Sequence, residues 1–184
     1  MIRSQRGIGL IEVLVALLLL AVAVLGFAAM QMAAIKATHE SLMRTRALTI
    51  MRGGAETMRA NPNGIPAFKS AINSSINTTA IGGITRDSCI INTNTALVAA
   101  NSCTINQLAT RDGLLLKAYA QDNDIIIGMI PNGCPGTSGM QERQCFIASW
   151  GNTTTELDDT ANDACAKADG TYKNGAECFI MEAY

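Results

Sequence analysis

The chain has 184 residues, 48% of them hydrophobic, 16% charged and 4% aromatic, with a formal net charge of −1 and one histidine. That length suits one domain plus an appendage, and the near-neutral balance excludes the strongly basic face of a nucleic-acid binder. A single histidine, His39, excludes any multi-histidine metal site and any Ser–His–Asp machinery built from the distal part of the chain.

The averages conceal an asymmetry. Residues 1–59 hold seven Lys/Arg against three Asp/Glu, a net of +4, whereas residues 60–184 hold seven against twelve, a net of −5. All thirteen asparagines and all six cysteines lie beyond residue 60. Two physically different objects share the chain.

From Val13 to Ile35 there are 23 consecutive residues without a charge. A helix of that length spans roughly 34 Å, enough for the hydrocarbon core of a bilayer. A domain of this size does not surround such a helix on all faces, so a membrane span is expected rather than a core helix. Arg3 and Arg6 precede the run and Lys36 follows it. Positive-inside bias then puts the short N-terminus in the cytoplasm and everything after residue 36 outside. A secretory signal peptide shares that polarity, but its apolar stretch is only about 7–15 residues and ends in a small-residue cleavage site. Glu12 heads the run, and a carboxylate costs about 2.5–3.5 kcal/mol at the centre of a membrane helix and less near an end, so it calls for a partner or a task.

Beyond the apolar run the helix is expected to continue. Met43, Ala47, Ile50, Met51, Ala55 and Met58 recur at three- and four-residue intervals among Arg44, Arg46, Arg52 and Glu56, an amphipathic face made for packing. Gly53-Gly54 is expected to loosen or bend it, and Asn61-Pro62-Asn63-Gly64 to stop it. His39 reads as a solvated surface residue.

Residues 60–184 are rich in Asn, Thr, Gly and Ser and suit an extracytoplasmic α+β domain with many loops. Residues 104–122 read as a helix, with Leu108, Leu115, Leu116 and Ala120 apolar and Asp112 and Lys117 solvated. Ile125–Ile130 reads as a short buried run, and Cys145–Trp150 and Cys178–Tyr184 read as strands of one antiparallel sheet with the long helix across its face, their adjacency left open. Cysteines 89, 103, 134, 145, 165 and 178 show no Cys-x-x-Cys and no histidine partner, so disulfides are expected rather than zinc. Six cysteines allow fifteen connectivities. The short–long–short–long–short spacing suggests Cys89–Cys103, Cys134–Cys145 and Cys165–Cys178. Asp158, Asp159 and Asp163 form no complete calcium loop and read as a solvated loop, and Trp150 reads as a core anchor. No phosphate loop or nucleophile elbow is present.

Gln5-Arg6-Gly7-Ile8-Gly9-Leu10-Ile11-Glu12-Val13-Leu14-Val15-Ala16-Leu17 resembles the class III signal of type IV pilins: a basic leader ending in Gly, an apolar residue, a Glu at the fifth mature position and a long apolar helix. The resemblance implies cleavage by a prepilin peptidase between Gly7 and Ile8 and N-methylation of Ile8. It also makes Glu12 an assembly residue that neutralises the Ile8 ammonium of a neighbouring subunit. Ile8 and Gly9 depart from the family's usual Phe followed by Thr or Ser. Ala29 stands where major pilins often carry a kinking proline, and residues 12–31 with Ala55–Pro62 are similar to minor pilins of the PilV kind.

Over residues 5–62 this resemblance implies an α+β pilin fold, a long N-terminal helix with a transmembrane first half packed on an antiparallel β-sheet head with disulfides. Its segments would be a leader (1–7), a membrane and assembly half-helix (8–36), an amphipathic half-helix (37–61) and a globular head (62–184). It implies a minor pilin that primes pilus assembly at or near the tip and supports adhesion and twitching motility. Its partners would be other minor and major pilins, the prepilin peptidase, the inner-membrane assembly platform and, before assembly, lipid, with no nucleic acid, no cofactor and no enzymatic activity. It would reside in a bacterial inner membrane, head in the periplasm, and then in the extracellular pilus. A minor pseudopilin of a type II secretion system and a pilus-tip adhesin are the alternatives.

Overall fold

The computed structural model describes residues 9–89, 103–131, 133–137 and 143–183. The chain divides into two compact units, Met1–Ser41 and Leu42–Tyr184. Helix α1 is continuous over Leu10–Ala60. It starts at Gly9, whose carbonyl accepts the N–H groups of Glu12 and Val13.

In the first unit α1 is apolar on every face from Val13 to Ile35. In the second unit it becomes one-sided: Met43, Ala47, Ile50, Met51, Gly54, Ala55 and Met58 are buried, while Arg46, Arg52 and Glu56 are exposed. The glycine pair does not break the helix. A Cβ on Gly54 would lie 2.6 Å from Leu116 Cδ2 and 2.7 Å from Phe146 Cζ, so this glycine sets a close approach between elements, while Gly53 faces open space. The helix ends at Ala60 because Asn61 precedes a proline and takes an extended φ of −138°.

A 3-10 turn (Pro62–Gly64) leads into α2 (Ile65–Ile72), which has Pro66 in its first turn. The sequence reading, which ends the long helix at Asn61–Gly64, contains no such helix. Strands β1 (Ala80–Ile81) and β2 (Ile84–Thr85) form a hairpin through Gly82 and Gly83, both at positive φ, as a two-residue turn of this hand requires. Helix α3 (Ile105–Gln121) opens on a capping box in which Thr104 and Gln107 each satisfy the other's backbone N–H.

Two assignments on α3 are corrected. Lys117 is buried, not solvated, and Leu108 and Leu115 lie on the exposed side. Asp112 is half-buried beside Arg111, 2.6 Å away. The inward face instead carries Ala109, Thr110, Gly113, Leu114, Lys117 and Ala120, because α2 packs there and only small residues allow two helices to approach: a Cβ on Gly113 would sit 2.7 Å from that of Ala71.

The main sheet has β4 (Cys145–Ser149) at its centre, between β3 (Ile126–Met129) and β7 (Cys178–Glu182), all antiparallel. Alternation sorts its side chains cleanly. Ile127, Met129, Phe146, Ala148, Phe179, Met181 and Ala183 face the helices, in one core with Met43–Met58 of α1 and Phe68 and Ile72 of α2. Phe68 meets Phe146 edge-on, with ring centroids 6.2 Å apart. Ile130, Cys145, Ile147, Cys178 and Ile180 belong to a second core with Cys134, Cys165 and Ala166. A parallel pair, β5 (Thr154–Leu157) and β6 (Ala164–Ala166), contributes to this side. Three bridges are present, Cys89–Cys103, Cys134–Cys145 and Cys165–Cys178. Each closes a short loop, which contributes about 3 kcal/mol in the chain-entropy account.

Candidate assembly surfaces

The first unit presents an apolar helix with one carboxylate, Glu12, at its head. Its large side chains, from Leu10 at 80% exposed to Val13 at 48%, are uncovered. The helix is long and apolar enough to cross a membrane. Glu12 is exposed in the first turn of this helix. Gly7 and Ile8 lie outside the described residues. An uncovered apolar helix of this kind is stable only in lipid or against other apolar helices. A carboxylate at its head then selects a cationic partner, since an unpaired buried charge costs several kcal/mol.

In the second unit the polar groups serve structure. The Lys117 ammonium donates to Ser74 O and Ser74 Oγ, both at 2.8 Å, and to Ser75 O. It thereby satisfies carbonyls just past the C-terminus of α2, the end that favours a cation. Burial pushes its pKa below the ordinary lysine range. Asn73, at the C-cap of α2, reaches β3 through both atoms of its carboxamide, donating to Met129 O and accepting from Met129 N–H, each at 2.7 Å. Asp158 accepts from the Thr160 hydroxyl and N–H and from Ala161 N–H. The Thr160 hydroxyl bond, then those two N–H groups, hold its carboxyl at about 2, so it is ionised and occupied in closing its own loop. Asp159 closes the same region by accepting from Ala168 N–H. Among the described residues no group of three or more His, Cys, Asp or Glu side chains could hold a metal ion, and every described cysteine is in a disulfide.

Trp150 is 3% exposed, which fits a core anchor, and His39 is exposed. Sequence reasoning missed Asn73 altogether and misread Lys117. The available signal was the spacing of Ile65, Phe68, Ala71 and Ile72 behind Pro66, which marks α2.

The chain has no match among curated proteins and none among solved structures. Two families do match. Residues 2–28 match the prokaryotic N-terminal methylation motif, and residues 29–114 match the family described as Type IV pilin Tt1218. The two matches abut, covering the signal, all of α1, α2 and the first part of α3. The long apolar helix, the antiparallel sheet and the three disulfides are those of a type IV pilin fold, and the two matches support the type IV pilin class, whose members are structural subunits and not enzymes.

Proposed function

We propose that the chain is a minor type IV pilin of the PilV kind, cut by a prepilin peptidase between Gly7 and Ile8, methylated on Ile8, and used to prime pilus assembly at or near the tip. The observation that carries this reading is Glu12, an exposed carboxylate at the head of an uncovered apolar helix within the stretch that matches the methylation motif. Before assembly, lipid covers Leu10–Ile35. In the filament the apolar helices of other pilins take the place of lipid, and Glu12 neutralises the Ile8 ammonium of a neighbour. Loss of either charge strands the other in an apolar bundle at a cost of about 3–5 kcal/mol, which fixes axial register. The head carries the contacts that distinguish this subunit from others and support adhesion and motility.

The test is the N-terminus and intact mass of the membrane-extracted, non-reduced protein, with and without the peptidase. The reading expects a methylated Ile8 start only where the peptidase is present, and a mass lacking six hydrogens for three disulfides. An uncut Met1, or a start beyond the apolar helix, overturns it. A deletion strain that loses protein export but keeps motility would move the chain to a type II secretion pseudopilus.

A further inference from the structure

Strand β3 is an edge of the main sheet, and its peptide groups can be followed one at a time. Ile130 N–H donates to Cys145 O at 3.0 Å. By the alternation of an antiparallel ladder, residues 126, 128 and 130 turn their peptide groups toward β4, and residues 125, 127 and 129 turn theirs outward. Ile125 N–H is satisfied by Ala120 O at 3.0 Å. Met129 is satisfied in both directions by the Asn73 carboxamide. Between them, the N–H and C=O of Ile127 have no partner among the described residues. Ile127 itself is 5% exposed, and this gap borders a cavity of about 710 Å³ lined by Asn73, Lys117, Ile126, Ile127, Pro131 and Leu157.

We infer that this cavity receives an extended peptide segment of a partner protein, one residue of which pairs through its N–H and C=O with Ile127 as an added β-bridge. Asn73 is the stand-in that identifies the ligand class. At the neighbouring outward position a carboxamide, chemically a peptide group, already makes the bidentate pair that an incoming strand would make. A helix cannot serve, because its N–H and C=O groups run along its own axis and bond within it. An apolar ligand would leave the buried Ile127 groups unsatisfied, at a cost of about 1–3 kcal/mol. Two other polar groups of the wall are already engaged, Lys117 on Ser74 and Ser75 and Gln121 on Ile76 O. The open main-chain anchor is therefore Ile127, in the manner of strand addition to a sheet edge, where main-chain bonds supply affinity. Glu156 and Asp158 line the same cavity, so a basic side chain on the segment meets opposite charge. The inference concerns the head alone and does not depend on the chain's place in a pilus.

The test uses the full chain, isotope-labelled and detergent-solubilised, titrated with the blocked peptide acetyl-Lys-Val-Thr-Val-Lys-Val-amide and with an analogue N-methylated at its two central residues. The expected result is that the first peptide slows exchange of the Ile127 amide about tenfold and shifts signals at residues 125–129 and Asn73, while the methylated analogue does neither. No slowing at Ile127, or an equal effect of the methylated analogue or of acetamide alone, overturns it. In Asn73→Ala the same peptide is expected to protect Met129 as well as Ile127. Loss of Ile127 protection in that variant, with native Trp150 fluorescence retained, also overturns it.

Discussion

Gly53 and Gly54 are neighbours in α1, and alanine at each separates helix propensity from packing. Replacing a mid-helix glycine by alanine favours the helix by about 1 kcal/mol. At Gly53 an added Cβ meets nothing within 4 Å, so Gly53→Ala is expected to keep that gain. At Gly54 the Cβ would lie 2.6 Å from Leu116 Cδ2 and 2.7 Å from Phe146 Cζ. The tip of Leu116 is half-buried and can turn aside. Phe146 is fully buried and held edge-on against Phe68 at an interplanar angle of 83°, so relief there requires α1 to lift from the sheet. Overpacking of this kind costs about 1–3 kcal/mol, so after the propensity gain Gly54→Ala loses about 0–2 kcal/mol and the two variants differ by about 1–3 kcal/mol. Trp150, the single tryptophan and 3% exposed, reports the transition. The assay is denaturant unfolding of the non-reduced, detergent-solubilised chain followed by its fluorescence. Gly54→Ala as stable as Gly53→Ala would refute the packing argument. Stabilisation by both would show that α1 is only a loose neighbour of the sheet.

Three further predictions follow from the head. Lys117→Met keeps the buried stem but removes every donor to Ser74 and Ser75, and is expected to cost about 1–3 kcal/mol in the same unfolding assay. Because the folded pKa of Lys117 lies below its ordinary 10.5, the unfolded state binds more protons in that window. The stability of the native chain therefore gains a contribution as pH rises toward 10.5 that the methionine variant lacks. Asp158, held at about 2 against an ordinary 3.8, gives stability that is present above 3.8 and lost as pH falls through about 2. Asp158→Asn should flatten the acid limb of a Trp150 fluorescence titration across that interval, and an unchanged limb would show that the loop bonds do not survive in solution. Ser149 is fully buried in β4, and its hydroxyl has no partner among the described residues. Ser149→Ala is expected to raise stability by about 1 kcal/mol, and a loss of that size would reveal a hydrogen bond to the hydroxyl.

What the sequence discloses depends on how local the deciding interaction is. The apolar run, Glu12 and the Met43–Met58 stripe are legible because a membrane helix and an amphipathic face are written in residues three to four apart. The three strands of the main sheet are legible as short apolar runs. Their order is not, because β3, β4 and β7 are joined across long separations and period-two alternation says nothing about neighbours. The parallel pair β5–β6 is invisible for a related reason: Thr-Thr-Glu-Leu and Ala-Cys-Ala carry no alternating pattern, and neighbouring contacts and the Cys165–Cys178 bridge hold them.

The misreading of Lys117 has a single origin in α2. A lysine on a helix reads as solvated by residue type alone, and only the carbonyls past the end of α2, 42 and 43 residues earlier in the chain, make its burial tolerable. The same helix end carries Asn73, whose contact with Met129 spans 56 residues. Overlooking eight residues behind a turn thus hid both the buried ammonium and the side chain that completes the edge of the sheet. It also hid the open peptide at Ile127, which becomes visible only once Asn73 is seen to occupy the position beside it. Signals for export and assembly are read by machinery that meets an extended or helical segment, so they must be local and are legible. Recognition by a folded head is assembled from distant residues, and no pattern in the chain spells it out.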